Sequence, residues 1–204
     1  MKLFKKAKTA DVVTHYDALI DEGNDPVYDP EPLKEYMDKW DGKEFIDALG
    51  LTKNESVLEI GVGTGRLAVR TAPLCKSLTG IDISAKTVEV AKGHLACFSN
   101  VNLICADFLL WQPERSFDVI YSSLTFMHFE DKAKAIAHAT GLLSKGGRLV
   151  ISIDKNQDKY IDAGSRRVRI YPDTPENIEY CMKNAGLQIK ARFELPFSYV
   201  IIGE

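Results

Sequence analysis

The sequence predicts an α/β fold in which helices cover both faces of a mostly parallel sheet. Short apolar runs rich in β-branched residues alternate with helix-like segments five times, beginning near residue 56. Three of these runs end in an acid, at Glu59, Asp82 and Asp107. With 204 residues, of which 45% are hydrophobic and 27% charged, the chain is long enough for one domain with a single large core.

The first 50 residues are expected to form a helical arm in front of a core at 51–204. They show no strand pattern, and residues 9–20 and 33–49 have helical spacing, with Gly50 placed to end the second helix. The loop at 21–32 is rich in Asp, Asn, Gly and Pro. Two interpretations stay open, a lid that closes over a ligand and a packing extension.

The first core strand is followed by a glycine turn and a helix predicted over 66–72. Gly61, Gly63 and Gly65 alternate with other residues, and glycine lets backbone approach a ligand closely because it has no Cβ. The helix start adds unpaired N–H groups for polar or anionic ligand atoms. A dinucleotide site would have its third glycine one residue later, where Arg66 would crowd the pyrophosphate.

The second strand, at 77–83, ends in an acid at the position that nucleotide-binding α/β sites use. Asp82 stands 21 positions after Gly61, where a carboxylate accepts both ribose hydroxyls, and Ser84 is predicted to cap the next helix. The following elements are strands at 101–108 and 117–122, a helix at 131–144 that Gly146 and Gly147 stop, and a strand at 148–153.

The C-terminal part is predicted to add a helix and an antiparallel hairpin. Thr174 is a suitable N-cap with proline after it, and Gly186 is placed to end the helix. Strands at 187–195 and 198–202 are joined by a connection too short for a parallel crossover. The predicted sheet therefore has seven strands.

An acid before G-x-G-x-G, acids ending the next two strands and the terminal hairpin resemble the class I S-adenosylmethionine (SAM)-dependent methyltransferases over about residues 50–204. The resemblance implies a Rossmann-like three-layer sandwich, with a mostly parallel seven-stranded sheet and an antiparallel last strand. It also implies SAM as cofactor and S-adenosyl-L-homocysteine (SAH) as product.

The resemblance implies that Glu59 lies near the SAM amino group, Asp82 near the ribose and Asp107 near the adenine amine. Tyr16 of the arm is predicted to be an aromatic lid over the cofactor; the alternative is that it only packs on the core. The complete predicted set of cofactor-binding residues is Tyr16, Glu59, Gly61, Gly63, Thr64, Gly65, Asp82, Ile83, Ala106, Asp107, Phe108 and Ser122.

The segment after the fourth strand is expected to border the transferred methyl group. Residues 122–125 lack the Asn/Asp-Pro-Pro-aromatic tetrad of members that act on DNA bases or protein glutamine, so the chain looks closer to the small-molecule branch of ubiquinone and menaquinone biosynthesis.

In-line transfer from a sulfonium requires mainly alignment. His128 is the candidate base if the acceptor must lose a proton; the alternative is a helix-start histidine without a catalytic role. Phe126 is expected to contact the acceptor.

The connection at 154–173 is longer than an ordinary one and is predicted to contain an extended strand. Alternation would place Arg167 and Arg169 on one face, where they, or Arg166, could clamp an anionic group of the acceptor. The alternative is a solvated basic face balanced by nearby aspartates.

Composition argues against several other functions. A net charge of -3 provides no basic field for nucleic acid or anionic lipid, and four cysteines without metal-ligand spacing predict free thiols and no metal site. Residues 1–8 are basic but lead into no apolar region, so a secretory signal is not expected. We expect a cytoplasmic monomer or homodimer that binds no nucleic acid or membrane. Two rival functions are a catalytically inactive SAM-binding regulatory or partner protein, and an NAD(P)-dependent reductase, which Arg66 and the hairpin oppose.

Overall fold

The computed structural model describes residues 8–204, and the basic segment at 1–7 lies outside the described residues. The helices are α1 (Val12–Asp21), α2 (Glu31–Asp41), α3 (Lys43–Ala48), α4 (Ala68–Thr71), α5 (Ala85–Leu95), α6 (Lys132–Gly141) and α7 (Pro175–Asn184). The strands are β1 (Lys8–Ala10), β2 (Ser56–Ile60), β3 (Ser77–Asp82), β4 (Val101–Cys105), β5 (Phe117–Ser123), β6 (Leu143–Asp154), β7 (Tyr160–Ala163), β8 (Arg166–Arg169), β9 (Ile189–Glu194) and β10 (Ser198–Gly203).

Seven strands form one sheet in the order β4-β3-β2-β5-β6-β10-β9. The pairs from β4 through β6 are parallel, and β10 runs antiparallel to both β6 and β9. Successive residues of β2 pack into different hydrophobic clusters, Val57 on one face and Leu58 on the other. Helices therefore cover the sheet on both sides, as its continuous apolar strands require. The predicted fold class is confirmed.

The predicted arm differs from the observed one in two ways. It contains a strand, because β1 pairs in parallel with the distant β8. The single helix expected at 33–49 is two helices that meet at Gly42, where an added Cβ would lie 2.6 Å from the carbonyl oxygen of Asp38. Gly50 has φ +59 directly after this pair, in the left-handed conformation that glycine adopts without strain.

The helix predicted at 131–144 was too long, because it ends at Gly141. Gly146 and Gly147 lie inside β6, and an added Cβ at Gly147 would lie 2.9 Å from the Asp118 carbonyl oxygen of neighbouring β5. Close pairing with β5, rather than a helix stop, explains that glycine. The helix predicted at 66–72 is reduced to α4 followed by a 3-10 turn.

The segment at 154–173 contains a strand, as predicted, within a second small sheet. Its strands β7 and β8 form an antiparallel pair, and β1 joins β8 to give the order β1-β8-β7. The backbone N–H of Tyr171 donates to the carbonyl of Met127 at 2.7 Å, which ties this insertion to the segment after β5. No helix within residues 8–204 is long and apolar enough to cross a membrane.

Candidate functional site

Two cavities open at the carboxyl ends of the core strands. Cavity A, of about 380 Å³, is bounded by the ends of β2, β3, β4 and β5 and by α1. Eight of the predicted cofactor-binding residues line it: Tyr16, Gly61, Gly63, Asp82, Ile83, Ala106, Asp107 and Phe108. Strand order explains this, because the parallel strands bring their carboxyl ends to one edge of the sheet.

Asp82 holds the glycine loop against the end of β3. Its Oδ2 accepts the Gly63 N–H at 3.0 Å and its Oδ1 accepts the Ser84 N–H at 3.0 Å. Burial raises the pKa of Asp82, and these backbone hydrogen bonds oppose that shift. An added Cβ at Gly63 would meet no atom within 4 Å, so backbone faces open space beside a carboxylate.

A second carboxylate of cavity A is Asp107, whose Oδ1 accepts the Leu109 N–H at 2.9 Å. Ile83, Ala106 and Phe108 add apolar walls near the two carboxylates. The arrangement offers oxygen acceptors for a diol and an amine, together with an apolar surface. These are the groups that an adenosine moiety requires.

Four predicted cofactor-binding residues do not line cavity A. The Glu59 carboxyl group is buried, accepts the Tyr121 hydroxyl at 2.7 Å, and has its pKa raised by burial to about 8. Ser122 donates to the Ile60 carbonyl at 3.0 Å. Thr64 and Gly65 lie under α5, where the Thr64 carbonyl is 2.7 Å from a ring nitrogen of His94.

A buried ion pair behind the glycine loop was missed by sequence reasoning. Asp41, at the end of α2, is fully buried, and its Oδ2 lies 2.5 Å from both Arg66 Nη2 and the Ser123 hydroxyl. Arg66 therefore reaches the arm and does not crowd the glycine turn. No local pattern marks Asp41, because its partners come from distant segments.

Cavity B, of about 650 Å³, lies between α1, α2, the end of β6 and the small sheet. It has Tyr16 and Leu124 in common with cavity A. Leu124 has φ +54, a rare conformation for a large side chain, and such strain concentrates at functional sites. The two cavities thus meet at a strained backbone position and a tyrosine from the arm.

Tyr16 and His128 are joined where the cavities meet. The Tyr16 hydroxyl lies 2.8 Å from His128 Nε2, and the two rings make an edge contact with centroids 5.4 Å apart. Burial raises the pKa of Tyr16 and lowers the pKa of His128 to about 4. The imidazole is therefore neutral near pH 7 and has one unprotonated ring nitrogen.

The three arginines of the predicted clamp have different surroundings. Arg167 lines cavity B, where its guanidinium lies 4.1 Å from the Tyr160 ring centre and its Nε donates to Thr9 Oγ1 at 3.3 Å. Arg169 is exposed beside Tyr171 and lines neither cavity. Arg166 is bound by both carboxylate oxygens of Glu22.

Phe126 also lies elsewhere than expected. Its side chain is 1% exposed, packs against Phe129 in the core and lines neither cavity. Phe126 was predicted to contact the acceptor because it follows the fourth strand. Its neighbours Thr125 and Met127 line the cavities instead, Thr125 in cavity A and Met127 in cavity B. Among residues 8–204 no group of three His, Cys, Asp or Glu side chains is arranged to hold a metal ion.

Comparison with known proteins agrees with this architecture. Residues 58–151 match a family model described as a methyltransferase domain. Malonyl-(acyl-carrier protein) O-methyltransferase 1 of Ilyobacter polytropus is 33% identical over 111 residues, which are 53% of this chain and 41% of that protein. The ubiquinone biosynthesis O-methyltransferase of Coxiella burnetii is 30% identical over 121 residues, 58% of this chain and 52% of the relative.

A solved DhpI–SAH complex has the same fold, with a TM-score of 0.75 and 18% identity over 94% of each chain. The chain spans about half the length of the curated relatives it matches. Residues 58–151 are thus similar to methyltransferase domains, and the fold of the chain is that of solved SAM-dependent methyltransferases.

Proposed function

We propose that this protein transfers a methyl group from SAM, bound in cavity A, to a small-molecule acceptor bound in cavity B. The observation that carries the proposal is the junction of the two cavities at Tyr16 and Leu124. A donor and an acceptor held on either side of this junction can react in line.

The residues of cavity A fit the adenosyl part of SAM. Asp82 would accept the ribose hydroxyls, Asp107 would accept the adenine amine, and Ile83 and Phe108 would flank the ring. Glu59 and the glycine loop remain our proposed neighbours of the methionine part, with Thr64, Gly65 and Ser122 supporting the loop from outside the cavity. The solved SAH complex of DhpI supports SAM as cofactor and SAH as product.

SAM, when bound, supplies a methyl group that its sulfonium has already activated. The chain therefore contributes mainly alignment and exclusion of water, and positioning alone can supply effective molarities of about 10⁵ M or more. Tyr16 and Leu124 line both cavities at the junction where the reacting atoms would meet. His128, neutral and hydrogen-bonded to Tyr16, is the proposed proton acceptor.

Cavity B also bears on the inactive alternative. A SAM-binding regulatory protein needs cavity A but has no need of a second cavity that meets it at the methyl position. The acceptor belongs, in our proposal, to the small molecules that the named O-methyltransferase relatives suggest. A cytoplasmic monomer or homodimer without a nucleic-acid or membrane partner stays a prediction from composition.

Asp82→Ala tests the cofactor assignment. Charge-assisted hydrogen bonds to a diol contribute roughly 1.5–3 kcal/mol each, so we expect SAM and SAH affinity to fall about ten-fold or more. Titration calorimetry with SAM, SAH and NAD measures this directly. Glu89→Ala, which removes a surface carboxylate of α5, is the charge-matched control and should bind as wild type does. Unchanged SAM affinity in folded Asp82→Ala would contradict the assignment.

A further inference from the structure

Tyr16 connects cavity B, the proposed acceptor cavity, to His128, which does not line that cavity. His128 lines cavity A but not cavity B, whereas Tyr16 lines both. The other residue common to both cavities is Leu124, which cannot carry a proton. Cavity B is also lined by the carboxylates of Asp154, Asp158 and Asp162, and within the described part of the chain the Tyr16 hydroxyl is the group that links this cavity to His128.

The hydrogen bond between Tyr16 and His128 provides the link that a relay needs. The Tyr16 hydroxyl is part-buried, and His128 Nε2 at 2.8 Å is its hydrogen-bond partner among the described residues. A relay toward His128 requires the tautomer in which the phenol donates to Nε2 and the imidazole proton is on Nδ1. Nδ1 is buried and has no partner within residues 8–204.

Building on the proposed function, we infer that Tyr16 and His128 form a proton relay for a protic acceptor, a hydroxyl or an amine, held in cavity B. The carbon–sulfur bond to the methyl group breaks and its electron pair stays on sulfur, while a lone pair of the acceptor forms the new bond to carbon. The acceptor proton passes to Tyr16 Oη as the phenol proton passes to His128 Nε2. Tyrosine ends neutral and histidine ends as imidazolium.

The relay conserves charge within a buried site. The sulfonium loses its positive charge as the imidazolium gains one, so the burial cost of the new charge is offset by the loss of the old one. Burial raises the pKa of Tyr16, which disfavours a tyrosinate intermediate in the relay. His15 and Lys132 lie near the relay and add to the effect of burial in lowering the pKa of His128. Charged groups line both cavities: Asp82, Asp107 and Glu130 in cavity A, and Asp154, Asp158, Lys159, Asp162 and Arg167 in cavity B.

The tautomer of His128 tests the relay without any acceptor. The full chain, labelled with ¹⁵N-histidine, is examined by NMR near neutral pH with and without SAH, and His128→Asn identifies the signal. We expect a protonated Nδ1 and an unprotonated, hydrogen-bonded Nε2 whose shift moves in Tyr16→Phe. The relay is overturned if Nε2 is protonated in the wild type, or if the His128 chemical shifts are the same in Tyr16→Phe as in the wild type.

The kinetic test uses SAM with substituted phenols and primary amines of graded acidity. Tyr16→Phe keeps the ring, so SAM affinity by calorimetry should be unchanged. General-base assistance is worth about 10²–10⁴-fold, so kcat should fall by at least about 10²-fold for weakly acidic phenols. The loss should be much smaller for 4-nitrophenol, which is largely ionised at mildly alkaline pH.

Tyr28→Phe is the matched control, since Tyr28 also makes an edge contact with a histidine, His94, but is 77% exposed. It should behave as wild type. If wild type does not bind SAM, the proposed function fails; if SAM binds and Tyr16→Phe methylates every acceptor at the wild-type rate, only the relay fails.

Discussion

At the scale of the residue, burial sets the protonation state of Glu59. Glu59 is 3% exposed, and the hydrogen bond that its carboxyl group accepts from Tyr121 only partly offsets the loss of hydration. Its pKa is raised to about 8, so the folded protein holds this carboxyl protonated near pH 7. Nearby Arg66 favours the charged form, but it is already paired with Asp41.

Glu59→Gln should therefore flatten the pH dependence of stability. The unfolded chain releases the Glu59 proton near pH 4.5 and the folded chain near 8, so the unfolded state binds fewer protons between these values. The free energy of unfolding of the wild type should fall as pH rises through this window, by as much as roughly 1.4 kcal/mol per unit of pKa difference. Urea unfolding of both proteins at pH 5 and pH 8 measures the difference. Parallel pH profiles would show that Glu59 is already ionised in the fold.

At the scale of the element, β3 depends on the absence of a side chain at Gly80. An added Cβ would lie 2.8 Å from Val62 Cγ2 and 2.9 Å from Leu103 Cδ2. Val62 belongs to the glycine loop, and Leu103 is the β4 partner of Gly80. The glycine loop therefore packs directly on the β3 backbone at Gly80, and this packing positions Gly63 against Asp82.

Gly80→Ala should destabilise the protein by about 1–3 kcal/mol, because overpacking displaces the loop or β4. Gly93→Ala is the control on α5, where an added Cβ meets no atom within 4 Å. Replacing glycine within a helix at such an open position should stabilise by roughly 0.5–1 kcal/mol. Chemical denaturation measures the change in the free energy of unfolding for both variants, which should be negative for Gly80→Ala and positive for Gly93→Ala. Equal stability of Gly80→Ala and wild type would contradict the packing argument.

At the scale of the whole molecule, the arm divides into two parts with different attachments. Phe45 and Leu49, in and directly after α3, are fully buried in the core. The Trp40 carbonyl accepts hydroxyl hydrogen bonds from Ser152 and Ser198. By contrast, α1 covers the cavities through side-chain contacts, such as the Ser84 hydroxyl that donates to Asp17 at 2.6 Å.

Removing residues 1–30 should lower SAH affinity far more than the thermal stability of the apo protein. The deletion takes away α1 with Tyr16 and Val12, which line cavity A, and leaves the core packing of α2 and α3 in place. We expect affinity to fall about ten-fold or more and the apo Tm by a few degrees. Calorimetry and thermal unfolding measure the two effects. Binding equal to that of the full chain would refute a lid role for α1.

The sequence by itself determined the sheet, the glycine turn and the carboxylates of cavity A. Strand and helix periods, the caps Ser84 and Thr174 and the terminal hairpin are local patterns that a short window of sequence records. Asp82 and Asp107 meet because parallel strands with intervening helices bring their ends to one edge. No knowledge of distant contacts is needed for these assignments.

Only the tertiary structure decided what faces the carboxylates and what stands beside the methyl position. Tyr16 meets His128 across 112 residues of chain, and Asp41 meets Ser123 across 82. Whether Arg167 faces cavity B while Arg169 faces solvent depends on the strands and rings packed around them, not on their spacing. Such contacts join segments whose local sequences are independent of each other, so no periodicity or motif records them, and they form only when the arm and the small sheet close over the core.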